Sequence, residues 1–426
     1  MHAGGARRTG GDAGALQRRT LRVLVAAQVL AGAGLAAGIT VGALLAEEMA
    51  GATGWAGLPA ALFTLGSAGA ALGIGRLSQG WGRRAGLASG YAIGALGAAL
   101  VVAAAAVDSL GFLFAGLVLY GAGSAANLQA RYAGADLAEP DRRGRAISTV
   151  LVATTLGAVL GPNLVEPTGR LAGALGVREL AGPFILAAVG YALAGVAVLA
   201  LLRPDPLLTA RALGVRQGRT PAGPPGGAGA TRTLRVAAAA MVTTQLVMIA
   251  VMTMTPVHMR DHGHALGEVG LVISLHVAAM YLPSPLSGRL ADRVGRRPVL
   301  VAAVLTMLAA GLLAAAARPG SVPLIAVSLM LLGLGWNLGL VGGTALVTDA
   351  VPLARRASVQ GRIDLGIALA GSAGGLGSGL VVAWAGYAAL AIAGGVAALA
   401  LIPLLVSERR ERARPGPAAV PGRQPL

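Results

Sequence analysis

The chain has 426 residues, of which 55% are apolar and only 12% charged, with a mean hydropathy of +0.73 and a net charge of +17. A soluble domain carries about twice that share of charge, so a water-soluble globular protein is excluded. The lack of cysteine excludes disulfides, thiolate metal sites and a cysteine nucleophile. Every basic residue is arginine, and all but Arg170, Arg178, Arg260 and Arg318 fall on one side of the apolar runs. That asymmetry marks the cytoplasmic side and offers a surface to anionic lipid, and it points away from nucleic acid.

Apolar runs of about 20 residues recur along the whole length, each long enough to cross a hydrocarbon core of about 30 Å. They do not alternate, which argues against a β-barrel. The pattern predicts an all-α polytopic membrane protein with twelve spans, near 21–45, 56–74, 86–107, 109–130, 146–166, 182–202, 234–257, 266–287, 299–317, 322–347, 363–383 and 388–406. The first run is too long for a signal peptide and reads as a retained helix, so Arg7-Arg8 does not read as a twin-arginine signal. The expected organisation is a cytoplasmic tail (1–20), a six-helix bundle (21–202), a cytoplasmic linker (203–233), a second bundle (234–406) and a cytoplasmic tail (407–426). Pro and Gly make the linker read as flexible and the C-terminal tail as disordered.

The most informative loop lies between the eighth and ninth spans. Gly288, Arg289, Asp292, Arg293, Gly295, Arg296 and Arg297 crowd into a tight connection, and a weaker copy with Gly75, Arg76, Gln79, Arg83 and Arg84 lies 213 residues earlier, half the chain. Asp136 with Arg142-Arg143 repeats as Asp349 with Arg355-Arg356, and Gly161 repeats as Gly374, at the same offset. Two parallel halves joined by a linker place a binding site near the bilayer midplane between them. Small residues such as Gly86, Gly90 and Gly94 let membrane helices approach closely, and smooth faces of this kind also suit helices that slide.

Gly288 to Arg297 resembles the loop signature G-x-L-A-D-R-x-G-R-[RK] of the major facilitator superfamily. The resemblance covers essentially the whole chain. It implies two six-helix bundles rocking about a central site, with helices 1, 4, 7 and 10 lining the cavity. It also implies that the loop acid meets the start of a helix in the other bundle. For Asp292 that is the fifth span, near Ile147-Ser148-Thr149, and a purely local pairing of Asp292 with its arginines is the alternative. In the first copy Gln79 replaces the acid. The eleventh span carries Asp364 near its start, and an aspartate at 79 is expected to be repelled by it. One charged latch and one weakened latch are therefore expected. Gly157, Gly161 and Pro162 resemble the antiporter motif of the drug/proton branch, although Val165-Glu166 stand where that motif has two glycines.

Depth along each span, at about 1.5 Å per residue, locates the remaining polar groups. His276 falls near the midplane, either as a proton or substrate group or as a neutral histidine bonded to a neighbouring helix. Thr154, Thr155, Gln245, Trp336 and Asn337 lie at a similar depth, with Gln28 and Asn127 nearer the cytoplasm. They are either bonds between helices or the polar lining of a mostly apolar pocket. Met241, Met248 and Met252 share a stripe with Gln245, as core or as an adaptable wall. Glu166 falls at the extracellular interface, where interfacial structure and a proton role both stand. The His258, His262, His264 cluster reads as an exposed loop before a metal site.

No phosphate-binding loop of the G-x-x-x-x-G-K-[ST] type occurs, which leaves a proton gradient as the evident energy source and no cofactor. The sequence therefore predicts a monomeric, proton-coupled transporter in a bacterial-type inner membrane, working by alternating access. Efflux of small amphipathic or hydrophobic molecules is the first reading, and symport of a small metabolite is the alternative. A membrane-embedded enzyme would concentrate reactive groups at one face, which this chain does not.

Overall fold

The computed structural model describes residues 3–50, 58–216, 228–318 and 321–405. The expected tail at 407–426 and the middle of the linker, 217–227, lie outside the described residues. Regular structure among the described residues is entirely helical. The N-terminal half comprises α1 (Ala3–Ala50), α2 (Leu58–Trp81), α3 (Arg83–Val107), α4 (Leu110–Ala135), α5 (Arg143–Asn163), α6 (Val165–Ala174) and α7 (Gly182–Leu201). A connecting helix, α8 (Pro206–Arg216), leads to the C-terminal half. That half comprises α9 (Ala228–Asp261), α10 (Leu266–Tyr281), α11 (Ser284–Arg293), α12 (Arg296–Ala316), α13 (Val322–Ala350) and α14 (Arg356–Leu399). Nine helical segments among the described residues are long and apolar enough to cross a membrane.

Local chemistry sets the breaks. Gly82 (φ 91°) separates α2 from α3, and Gly295 (φ 104°) separates α11 from α12, 213 positions later. A left-handed backbone there reverses the chain within one residue at little cost only for glycine. Gly386, at φ 83°, divides α14 where the eleventh and twelfth spans were expected to meet. The Ser109 hydroxyl accepts the Phe112 N–H at the start of α4.

Two large buried apolar cores form among the described residues, with a smaller cluster around Met259, Val272 and Leu329. One is drawn from α1 to α7. The other belongs mainly to α9–α14 but takes in Ala135, Ile147 and Leu151, so it crosses between the halves. In the N-terminal half Tyr120 packs on Phe184 and Tyr191 with ring centroids at 5.4 and 5.5 Å, and Tyr91 follows at 6.1 Å from Tyr191. Such ring pairs add about 0.5–1.5 kcal/mol beyond their area. The glycine ladder of α3 serves close packing: a methyl group on Gly94 would lie 2.6 Å from the Cα of Gly123 on α4.

Two expectations change here. The linker is not flexible throughout, because 206–216 form α8. Asp205 caps it by accepting from Leu207 and Leu208 N–H, and also accepts the Arg84 N–H at 2.8 Å. Proline at the first position suits the turn that Asp205 opens. The fifth span also ends earlier than expected, and Glu166 sits on the separate helix α6.

Candidate functional site

The hydrogen bonds and ion pairs that cross between the halves, among the described residues, gather at the arginine-rich end. Asp292, in the last turn of α11, accepts the backbone N–H groups of Gly144 and Arg145 at 2.8 and 3.0 Å. Four unsatisfied N–H groups and the positive end of the dipole make a helix start an anion site. The contact falls three residues earlier than the expected Ile147–Thr149. Asp292 also lies 3.5 Å from Arg296, so the local pairing coexists with the cross-half one.

Gln79 occupies the equivalent place on α2. Its Oε1 accepts from Ala357 N at 3.0 Å and Ser358 N at 3.3 Å, and its amide donates to the Ala354 carbonyl. Gln79 thus caps the start of α14 without a charge. The expected repulsion between an acid at 79 and Asp364 does not account for this. The helix starts at Arg356, and Asp364 lies roughly 9 Å deeper than the residues Gln79 touches, at about 1.5 Å per residue. The neighbouring glycines are matched too. A methyl group on Gly75 would meet Ala357 O and Gly361 Cα at 2.9 Å, and one on Gly288 would collide with Gly144 and Ser148, each partner 213 residues from its counterpart.

Six charged side chains then interlock in four ion pairs. Arg83 binds Asp136 at 2.7 Å and Arg296 binds Asp349 at 3.0 Å, each within its own half. Arg143 crosses to Asp349 at 2.5 Å, and Arg356 crosses to Asp136 at 3.7 Å. Each aspartate is therefore shared between an arginine of its own half and one of the other. The arginines that engage are Arg143 and Arg356. The expected Arg142 is 66% exposed and touches only Glu139 and Asp141, at 3.7 and 3.9 Å. Arg355 is exposed at the start of α14. Arg76 is exposed, and Arg84 is held through its backbone by Asp205. Arg293 ends α11, and Arg297 reaches Thr233 at 3.4 Å. On α8, Arg211 donates to Gln79 O at 3.0 Å and to Leu353 O at 3.3 Å, so it spans both halves.

Beneath this layer is a pair that the sequence reading missed. Arg131, one residue past the expected end of the fourth span, lies inside α4 and is fully buried. Its guanidinium holds Asp364 Oδ1 of α14 at 2.6 Å and donates through Nε to Thr344 Oγ1 at 3.0 Å. The Tyr132 hydroxyl also donates to Asp364 Oδ1, at 3.2 Å. Asp364 Oδ2 is buried and has no protein partner among the described residues.

The central polar residues divide into two groups. Gln28 is saturated: it accepts from Tyr91 at 3.1 Å and donates to Asn127 Oδ1 at 3.1 Å and Thr154 Oγ1 at 3.0 Å. Asn127 Nδ2 and Thr155 Oγ1 are buried without a protein partner among the described residues. In the other half, half-buried Gln245 accepts the Trp336 indole N–H at 2.6 Å, and Tyr281 meets the Trp336 ring edge-on at 5.7 Å. Asn337 does not join them. It donates to Met280 O and Ser284 Oγ, both at 2.7 Å, and so secures the joint between α10 and α11. His276 is fully buried, with its Nδ1 on the Leu329 carbonyl of α13 at 2.7 Å and its Nε2 without a protein partner among the described residues. Met241 and Met248 are core residues. Glu166 is 83% exposed and lies 3.7 Å from Arg170. Gly157 packs beside Gly32 of α1, whereas Gly161 and Pro162 lie in the final turns of α5 with side chains outside the described set. His258 stacks on Tyr387 at 4.4 Å, and no group of three metal-ligating side chains forms among the described residues.

The family model for the Major Facilitator Superfamily matches residues 24–266 and 236–426. The chain belongs to the major facilitator superfamily. It is 53% identical over 92% of its length to an uncharacterized MFS-type transporter, YdeG, of Bacillus subtilis (strain 168), of which it covers 93%. It is 32% identical over 82% of its length to the riboflavin transporter RfnT of Brucella anthropi, of which it covers 85%. The crystal structure of the human organic anion transporter MFSD10 shares its fold, with a TM-score of 0.74 at 18% identity, covering 91% of this chain and 99% of that one. The protein is thus a multi-pass membrane transporter of the superfamily, set in a lipid bilayer and acting on a small-molecule substrate rather than as an enzyme.

Proposed function

We propose that this superfamily member exports small amphipathic molecules bearing a planar ring, driven by protons, from a bacterial-type cytoplasm. The arginine-rich end is then cytoplasmic, as the charge bias requires, and both termini lie on that side. The described state is closed toward the cytoplasm. The observation that carries the substrate class is the Trp336–Gln245 pair with Tyr281 beside it. An aromatic plate with an oriented amide suits a flat, partly polar ring in an otherwise apolar site. The relative named a riboflavin transporter supports that class. One charge crossing 100 mV gains about 2.3 kcal/mol, enough to drive such a molecule uphill.

The test is accumulation of labelled riboflavin, with a panel of smaller ring compounds, in cells with and without the protein. Export lowers accumulation, and an uncoupler restores it. Accumulation that never changes for any compound would overturn the reading. Raised, uncoupler-sensitive accumulation would establish symport instead. One observation favours that second reading: α5 stops at Asn163, so the antiporter-like glycines do not continue into the residues that the motif requires.

A further inference from the structure

We propose that Asp364 is the site where a proton unlocks the cytoplasmic end, with Arg131 as its counter-charge, a proposal that rests on the proton-coupled transport reading above. Three features of the structure converge on this pair. It joins α4 of one half to α14 of the other at 2.6 Å, with side-chain exposures of 0% and 2%. It has no counterpart in the repeat, because the positions 213 residues away hold Thr344 and Leu151. One carboxylate oxygen is fully engaged, by Arg131 and Tyr132, whereas the other is buried and unbonded among the described residues. That second oxygen is the seat for a proton.

The step balances simply. One proton binds Asp364 Oδ2, the carboxylate becomes a neutral acid, and no other bond is made or broken covalently. Arg131 keeps its charge but loses its buried counter-charge across the halves. A buried ion whose partner is removed is strongly destabilised, so the two halves part at this end. Once the end opens, Arg131 is hydrated and Asp364 releases the proton to the cytoplasm, which allows reclosure. The charged and titratable groups that face Asp364 are Arg131 and Tyr132 from α4 and Arg83 from α3, and its own helix presents Gln360 one turn earlier, where it accepts from Arg83. Thr344 of α13 completes the Arg131 shell. The outer clasp of Asp136 and Asp349 lacks this uniqueness, because both copies carry it.

The absence of cysteine from the sequence makes the test direct. Spin labels on Gly80→Cys of α2 and Arg362→Cys of α14, both exposed, report the distance across the cytoplasmic gap in detergent or nanodiscs. With no other change, the long-distance population should rise as the pH is lowered from alkaline to acidic. Asp364→Asn should raise that population about tenfold or more at the upper pH and abolish its pH dependence. Asp364→Glu should restore a titration with a shifted midpoint. Tyr132→Phe, which leaves the ion pair, should move the midpoint upward because the charged form loses a donor. The proposal is overturned if the labelled parent does not titrate, or if Asp364→Asn and Tyr132→Phe both titrate like the parent. Failure is distinguishable from failure of the transport reading. Uncoupler-sensitive riboflavin accumulation that persists in Asp364→Asn sinks the proton site alone. A titrating gap that depends on Asp364, in a protein whose transport ignores the uncoupler, upholds the site and sinks the coupling.

Discussion

The carboxylate of Asp292 holds the backbone N–H of Gly144, 148 residues before it in the chain, at 2.8 Å. Nothing covalent keeps α11 and α5 together at that point, so the bond lasts only while the arginine-rich end stays shut. Charge is the main contributor, since an anion at a helix start adds to the two hydrogen bonds. Asp292→Asn keeps the shape and loses the charge. It should cost the closed state about 1–2 kcal/mol, read as a shift toward the long distance between the same spin labels. An unchanged distance distribution would show that Asp292 serves Arg296 only.

Gln79→Asp should do the opposite. The residues it would meet are the first N–H groups of α14, and Asp364 is too deep and too well paired to repel it. The closed fraction should rise by about 0.5–1 kcal/mol, with slower turnover of whatever compound the accumulation screen identifies. A fall in closed fraction would revive the repulsion argument.

The clasp should prove unequal. Asp136 and Arg83 are both wholly buried, so Asp136→Ala leaves an unpaired buried cation and should cost about 3–5 kcal/mol. Arg143 and Asp349 are 17% and 31% exposed. A double-mutant cycle on that pair should return only about 0.5–1 kcal/mol after solvent screening. Thermal unfolding in detergent measures both, and similar values for the two would contradict the burial argument.

Gly288→Ala should hold the arginine-rich end ajar, because its new methyl group meets Gly144 backbone at the latch. Overpacking of this kind costs about 1–3 kcal/mol. The signature is a larger open population with nearly normal unfolding temperature, since the strain exists only in the closed state. A lowered unfolding temperature with an unmoved equilibrium would place the strain within one half instead.

Trp336→Ala should weaken transport of a ring-bearing compound about tenfold or more, a loss of about 1.4 kcal/mol or more. Trp336→Phe should lose less, because it keeps the ring and gives up only the donor to Gln245. Equal losses would point to the hydrogen bond rather than the aromatic face.

The helices were legible because lipid imposes runs of fixed length and polarity on the sequence. The latch loops were legible because two copies could be laid over each other. Arg143 and Arg356 share the same offset as their neighbours Arg142 and Arg355. Only the turn of each helix start decides which of two adjacent arginines points inward, and that is tertiary information. Arg131 was hidden for a related reason. It follows an apolar run at Ala130, so charge alone reads it as the end of a span, whereas α4 continues to Ala135 and buries it against a partner 233 residues away. Asn337 and Trp336 are adjacent in sequence, yet their side chains leave α13 about 100° apart. Only Trp336 reaches Gln245.

Arg131 and Thr344 occupy the same place in the two repeats, and they touch. Equivalent residues meet only where the twofold relation between the halves passes through the molecule. At such a point a duplicated ancestor would present every side chain to its own twin. Two arginines there would face each other within bonding distance, like charge against like charge in a buried site. The axis is therefore where identical copies are least able to coexist. Arg131 facing Thr344 gives the doubled chain a direction at its centre line.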